Sequence, residues 1–440
     1  MNHTETVRIP PAAEEPLDIS FSGPLLDQLV RHFARLGDAF RGYAPAAKRE
    51  IYVLSHPEHA KHVLVTRHQN YTKGIGIERV AMLLGTGLMV SEGELWRRQR
   101  KVIQRGFHSR LIARLVRNMA DVTLQLRDTW LARARRREPI DLTQDVSEAT
   151  LRIMLRTVIG NDLERITEEH RGNPFALLTD DPERNLAFAV KFRSLARLIG
   201  EALDRRHRQS GGGESGGGGD LLSIMMDSDD TDPRESMPDQ QLVDEILTLI
   251  VAGHETTASA LSWMWYLLSQ HPGALERLHQ EVDRGRQDVA NLRLEEWPFT
   301  RQVIEETLRL YPPGWLLTRR AIQSDVIAGY SVPAGTDVFI SPYLVHRHPQ
   351  FWHEAERFEP ERFAPSSQQE RDRFAYIPFG LGPRTCIGEH FAMVEMLVHT
   401  VLLAREIHLE FVPQPPVEPE AGVNLRTRHH LTMMPIARHP

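Results

Sequence analysis

Phe379-Gly380-Leu381-Gly382-Pro383-Arg384-Thr385-Cys386-Ile387-Gly388 carries the one cysteine of the chain, and an apolar helical pattern follows over 389–404. Three glycines and a proline ahead of a helix make a rigid turn that other groups can approach closely, not a helix interior. The sulfur of Cys386 is therefore predicted at a helix N-terminus, where the dipole, backbone N–H groups and Arg384 favour thiolate over thiol. A lone cysteine is more often a small buried hydrophobe, but the glycine-rich turn argues against that here. A thiolate can attack an electrophile, with His390 as a candidate base, or it can bind a metal. Glycines that let a flat object reach the backbone suit a planar cofactor better. With no second cysteine and no His-Glu-x-x-His spacing for zinc, the simplest one-thiolate centre is haem iron.

The 440 residues hold 53 Lys and Arg against 59 Asp and Glu, a net charge of −6, with 41% hydrophobic side chains. This length admits one large domain or two or three smaller ones. The charge gives no basic field for nucleic acid or an anionic membrane. A single cysteine excludes an internal disulfide. The opening Met-Asn-His-Thr-Glu-Thr-Val-Arg-Ile-Pro-Pro lacks the apolar core of a signal peptide. The apolar runs 246–253 and 396–404 fall short of the roughly 18 to 20 residues that span a bilayer. Residues 25–36 read as an amphipathic packing helix rather than one lying on a membrane surface. No transmembrane anchor is expected, and the expected location is cytoplasmic.

Apolar residues at three- and four-residue spacing predict helices over 111–134, 145–159, 186–207, 240–269 and 274–286. The helix at 240–269 opens after Pro238 and stops at Pro272-Gly273. A shorter helix over 300–311 is predicted to be capped by Thr300 and ended by Pro312-Pro313. From 321 to 343, β-branched alternation broken by Gly329, Pro333-Ala334-Gly335 and Pro342 predicts short strands, and 51–54 predicts another. The fold class is mainly α with small β-sheets. The tract Ser210-Gly-Gly-Gly-Glu-Ser-Gly-Gly-Gly-Gly219 reads either as a domain linker or as a surface loop, whose closure entropy grows slowly with length.

The spacing of Phe379, Gly382, Arg384, Cys386 and Gly388 resembles the cysteine-ligand loop of the cytochrome P450 family in every defined position. Three further motifs follow the family's order. Ala252-Gly253-His254-Glu255-Thr256-Thr257 in the long helix is similar to the oxygen-activation segment. An isolated Thr256 would simply bond its own helix backbone, but Gly253 in mid-helix costs roughly 1 kcal/mol relative to alanine and asks for a reason, which cofactor clearance supplies. Glu306-Thr307-Leu308-Arg309 resembles the family's Glu-x-x-Arg. The pattern recurs at Glu94/Arg97 and Glu281/Arg284, and gains meaning from the Pro-Pro that follows and from Arg362 in Phe358-Glu359-Pro360-Glu361-Arg362-Phe363. Trp96-Arg97-Arg98-Gln99-Arg100 resembles the family's Trp-x-x-x-Arg.

The resemblance runs from about residue 25 to the C-terminus and implies the P450 fold, with haem b held between the long helix and the cysteine loop. It implies Cys386 as iron ligand; Trp96, Arg100, Arg384 and, by its spacing from Asp325, Arg320 at the propionates, a spacing that a slip of one would move to Arg319; and Ala252, Phe379 and Gly388 against the ring. Thr256 and Glu255 are implied in oxygen activation and proton delivery, and Glu306, Arg309 and Arg362 in a structural charge network. The glycine tract becomes a flexible loop over 209–220 inside one domain of 1–440, with 1–24 loosely ordered. The implied reaction is monooxygenation of a hydrophobic small molecule by O2. Cys386 is the only cysteine, so no iron–sulfur cluster fits, and electrons from NAD(P)H must come through a separate ferredoxin or flavodoxin and its reductase. Arg97, Arg98 and Lys101 are expected to help dock an acidic partner, and the chain is expected to be a monomer. Ile75, Ile77, Leu83, Leu84, Leu88 and Met89 are expected to roof the substrate pocket. Val251 and Trp315, Leu316 and Leu317 are expected to face it. Such a pocket favours a terpenoid, a fatty acyl chain or a macrocycle. A haem-thiolate sensor or electron carrier would share Cys386 without the Glu255-Thr256 pair, and a cysteine hydrolase would lack haem.

Overall fold

The 32-residue helix Asp239–Gln270 runs about 48 Å at 1.5 Å per residue and forms the axis of the molecule. Apolar residues occupy most of its faces, so it is buried all round rather than on one stripe. It follows Pro238, held extended, and stops before Pro272, which opens the helix Pro272–Arg284. The helix Leu142–Ile159 packs along it. A second buried helix, Glu389–Glu406, packs on Ser109–Arg136 and carries the cysteine turn at its N-terminus. The computed structural model describes residues 8–20, 24–180, 186–210, 219–231, 237–285, 292–368 and 371–439.

The helix expected over 300–311 spans Pro298–Leu310, and Thr300 is not its cap. The cap is the Glu281 carboxylate, which accepts from Phe299 N (2.7 Å), Thr300 N (2.8 Å) and the Thr300 hydroxyl (2.6 Å). A side chain from the neighbouring helix thus satisfies the orphan N–H groups that a local side chain was expected to take.

The strand texture begins at Leu317. A five-stranded sheet has the order Ala39–Ala44, Arg49–Leu54, Asp337–Ile340, Leu317–Ala321, Tyr71–Lys73, with the second and third strands parallel and the rest antiparallel. Near the C-terminus, Pro419–Ala421 and Leu425–Thr427 form a hairpin beside the long helix.

Residues 8–20, expected to be loosely ordered, are held against the sheet. Arg8 N donates to Gly329 O (2.8 Å), Ala13 N to Arg41 O (2.7 Å) and Leu17 N to Tyr43 O (2.8 Å), and Leu17 is fully buried. Unpaired backbone groups of sheet strands order the segment. Most of the glycine tract lies outside the described residues. Its flanks are tied together, since Arg206 in the helix Leu186–Ser210 donates to Asp220 at 2.8 and 2.9 Å and to Asp162 at 2.7 Å. No helix among the described residues is long and apolar enough to cross a membrane.

Candidate functional site

Gly380 and Gly382 adopt φ of 73° and 71°, a conformation that side-chain-bearing residues resist, and a Cβ on Gly382 would run into the Leu64 carbonyl. Cys386 N donates to Phe379 O (2.8 Å) and Thr385 N to Gly382 O (3.0 Å), closing the turn before Gly388. The Cys386 side chain is accessible, yet protein crowds it closely. Burial pushes its thiol up and Glu389 adds to this, while the Gly388 N–H and Arg100 oppose it. The expected preference for thiolate is therefore not met by the protein alone, partly because Arg384 is turned to Glu92 instead. A coordinated metal cation reverses that balance by deprotonating the thiol outright, whereas a free nucleophile needs a lowered thiol. The setting suits a metal ligand and not a cysteine hydrolase.

Every residue of the long helix from Gln241 to Ile250 is buried, but Val251, Ala252, Gly253, Glu255 and Thr256 show accessible surface in mid-helix. Packing around the helix is looser at this stretch. Thr256 Oγ1 donates to Ala252 O (2.7 Å), the ordinary helical arrangement for a threonine. Glu255 Oε2 accepts from Asn424 Nδ2 (2.8 Å). A Cβ on Gly253 would meet Met154 Sδ at 2.5 Å, so the glycine also permits close packing against the Leu142–Ile159 helix.

A cluster of cations gathers around Trp96 and Glu92. The guanidinium carbons of Arg384 and Arg100 lie 5.3 and 5.7 Å from the Trp96 ring centroid. Arg100 Nη1 donates to Thr385 O (3.0 Å), and Arg384 bonds Glu92 through both nitrogens, Nη1 to Oε1 at 2.7 Å. Arg320 does not join them. It forms a fork to the fully buried Asp337 with two 3.0 Å bonds, and Arg49 binds the same carboxylate. Successive residues of a strand point to opposite faces, so it is Arg319 that turns toward Arg384 and Glu92. Burial lowers its guanidinium to about 10, Arg384 adds to this and Glu92 opposes. Lys73 completes the group, donating to Leu88 O (3.0 Å) and Ser91 O (2.7 Å), and burial lowers it to about 7. For Glu92 burial is the largest single influence and raises it, but the bonds from Arg384, Lys73 N and Thr72 together outweigh burial and bring it to about 2. Sequence reasoning named Arg319 only as the neighbour to which the Arg320 assignment could slip, and it missed Lys73 and Glu92. Counting strand parity from Asp337 was the available signal for the first.

The Glu306–Arg309 pair is fully buried, with Nε to Oε2 at 2.7 Å and Nη2 to Oε1 at 2.8 Å. Arg309 also donates to the carbonyls of His346 (3.0 Å), Ala355 (2.7 Å) and Arg357 (3.1 Å), and Glu306 accepts from Glu359 N (2.9 Å). Arg362 Nε lies 3.5 Å from Glu306 Oε1. His346, also missed, connects this network to the cysteine loop: its Nε2 accepts from Ile377 N (2.8 Å), and its Nδ1 lies 3.1 Å from Arg309 O.

The expected pocket residues divide. Leu83, Leu88 and Val251 are partly buried against the main core, while Leu84 is packed fully into it. Met89 is 38% exposed and Ile77 half-buried. Trp315 is not a pocket residue: it is buried in the N-terminal core, where its indole N–H donates to Gly422 O (3.0 Å), and Ile75 and Leu316 pack on the same core. Leu317 packs on the sheet core beside Gly380. The loop of Thr86 and Leu88 is pinned to the long helix. Thr86 N and Oγ1 donate to Asp244 Oδ2 (2.7 and 3.1 Å), and Leu88 N donates to Glu245 Oε2 (2.9 Å).

This geometry fits a planar dianion with an iron centre: an accessible sulfur at a glycine turn, small and partly accessible Ala252 in mid-helix, and three cations acting on one carboxylate with a fourth, Arg100, beside them. The family model for cytochrome P450 matches residues 18–432, and the chain belongs to that family. It is similar to "Cyclooctatin synthase" of Streptomyces melanosporofaciens, 33% identical over 97% of this chain and 92% of that protein. It is also similar to "Cyclooctat-9-en-7-ol 5-monooxygenase" of the same organism, 31% identical over 82% of this chain and 81% of that one, and to "Protein LUTEIN DEFICIENT 5, chloroplastic" of Arabidopsis thaliana, 29% identical over 92% and 73%. A cytochrome P450 crystal structure shares the fold with a TM-score of 0.85 at 23% identity, covering 98% of this chain and 99% of that one. The chain is a cytochrome P450 monooxygenase that uses haem iron and O2.

Proposed function

We propose that this enzyme inserts one oxygen atom of O2 into a terpenoid-type hydrophobic substrate, with hydroxylation as the reaction. The observation that carries the reading is the pairing of the accessible Cys386 sulfur at its glycine turn with a mid-helix opening at 251–256. The partly buried Leu83, Leu88 and Val251 supply an apolar lining, and two similar proteins have names that specify a cyclooctat skeleton, one of them an alcohol oxygenated at position 5. That favours the terpenoid over the fatty acyl chain.

In this reading Cys386 holds the iron, and Arg100, Arg319, Arg384 and Lys73 hold the propionate carboxylates, the guanidiniums by forked donation. Haem b supplies the oxygen-activating chemistry when bound. Ala252, Phe379 and Gly388 border the ring. Thr256 presents a hydroxyl that accepts and donates at the helix opening, and Glu255 moves protons to the same place. Glu306, Arg309, Arg362 and His346 keep the cysteine loop in position.

Electrons originate in NAD(P)H and arrive through a reductase and a ferredoxin or flavodoxin. Trp96, Arg97, Arg100, Lys101, Gln104, Arg105 and His108 line a shallow, positively charged depression of about 480 Å³ that suits an acidic partner. Arg98 is not part of it, because it turns inward to Gln241 (3.3 Å).

The deciding experiment is the reduced, carbon monoxide-bound spectrum followed by substrate-binding spectra with cyclic terpenoid alcohols and fatty acids. A thiolate-haem band with spin-state shifts for the terpenoids alone is expected. Shifts for the fatty acids alone would replace the terpenoid reading. Thr256→Ala is expected to consume reductant while releasing peroxide in place of product, and parental coupling would remove Thr256 from its role.

A further inference from the structure

Helical spacing places Glu255 about 100° round the axis from Thr256, and on that side a cavity of about 420 Å³ opens between the long helix, the Leu142–Ile159 helix and the C-terminal hairpin. Its wall includes Glu255, Ser259, Thr143, Ser147, Thr427 and, at the hairpin turn, Asn424. That volume is many times the roughly 30 Å³ a water occupies in the liquid, and the polar walls can hold water. The turn is fixed on both sides of Asn424. Gly422 O accepts from Trp315 Nε1 (3.0 Å), Leu425 N donates to Pro313 O (3.0 Å), and Leu425 O accepts from Ser259 Oγ (2.5 Å). A rigid turn thus presents the Asn424 amide to the Glu255 carboxylate at 2.8 Å.

We propose that Asn424 is a positioning residue that holds the Glu255 carboxylate at the wall of this cavity, so that Glu255 is reprotonated from the cavity and not from the substrate side. The proposal rests on reading Glu255 as the proton-delivering acid. The transfer balances: Glu255 gives one proton to the Thr256 hydroxyl oxygen as that hydroxyl passes on its own, becomes a carboxylate, and regains one solvent proton relayed through water in the cavity, which leaves no hydroxide behind.

The titratable and charged groups lining the cavity with Glu255 are His254 on its own helix and Arg426 and His430 on the C-terminal segment. His430 lies 2.6 Å from Asp141, whose hydrogen bond holds the imidazole above its ordinary value. Thr143, Gln144, Ser147, Leu178 and Thr179, from the two other helices lining the cavity, are uncharged.

A hydrogen bond donated to a carboxylate favours its charged form, and an acid that must be protonated to act sets the alkaline limb of a pH profile, so Asn424→Ala is expected to move the alkaline limb of the coupling profile, product formed per reductant consumed, upward by about one pH unit. Asn424→Asp, which keeps the shape and adds a like charge, is expected to move it further in the same direction. The carboxyl infrared band of the resting holoenzyme that disappears in Glu255→Gln is expected to titrate with the same two shifts, a readout independent of turnover. In the Glu255→Gln background the Asn424 substitutions are expected to shift nothing. An unshifted band and profile in both Asn424 variants, with Glu255→Gln still uncoupling the enzyme, would overturn the positioning role alone. Parental coupling in Glu255→Gln would overturn the acid reading, and the proposal with it.

Discussion

Two of the charge clusters among the described residues, around Glu306 and around Glu92, are built on opposite rules. Around Glu306 the central pair is saturated: Arg309 has two carboxylate oxygens and three carbonyls as partners and Glu306 has Arg309 and a backbone N–H, while Arg362 lies 3.5 Å away with its Nε making no hydrogen bond. Around Glu92 three cations, Arg384, Arg319 and Lys73, act on one carboxylate with Arg100 nearby, and Arg319 and Lys73 are lowered by burial to about 10 and about 7. A saturated network serves the fold. A cationic surplus held in place by packing marks where an anion is to be received. In the reading proposed above, the two propionates of haem would supply the missing charge.

The largest expected effect breaks the saturated cluster. Arg309→Leu strands a buried carboxylate and three carbonyls, and should cost about 3–5 kcal/mol, read as a lowered urea midpoint of the holoenzyme. Arg319→Leu removes a buried cation from a cluster with cations to spare, so its urea midpoint should stay near the parental one. It should instead release haem to apomyoglobin about tenfold faster, as loss of a forked donor to a carboxylate requires. Equal losses of stability in the two variants would dissolve the distinction. Arg320→Leu sharpens it from the next residue: stability falls because Asp337 loses its fork, while haem release stays unchanged.

The contrast also shows what was legible in the sequence. The cysteine loop, the long helix and the Glu306/Arg309 pair could be read because local spacing fixes them: a glycine turn, a run between prolines, partners three positions apart on one face; Arg362 came from the family resemblance. The choice between Arg320 and Arg319 was not legible because strand parity depends on a pairing with Asp337, 17 residues away. The packing role of Gly253 was not legible because its close neighbour is Met154, on another helix. The Thr300 cap failed for the same reason, with Glu281 reaching over from a neighbouring helix. Trp315 looked like a pocket residue until its hydrogen bond to Gly422 placed it in the core. Glu92, Lys73, His346 and Asn424 carry no motif, and their roles come only from what the fold brings beside them.

The smallest expected effect tests whether Glu92 is a stand-in for the anion or a permanent member of its site. Glu92 sits at about 2 in the folded protein against an ordinary 4.5. A lowered acid stabilises the fold above pH 4.5 and loses that contribution as pH falls toward 2. The side chain is 36% exposed, and after solvent screening the contribution is about 1 kcal/mol at neutral pH. Glu92→Gln should therefore lower the urea midpoint of the holoenzyme slightly at pH 6, and the gap to the parent should narrow as the pH drops below 4. Haem release should move the other way, because removing the one carboxylate leaves Arg384 and Lys73 wholly to the propionates. Slower release with lower stability identifies Glu92 as a competitor for those cations. Faster release would mean that it orients Arg384, and the cluster would then be less unsaturated than the comparison holds.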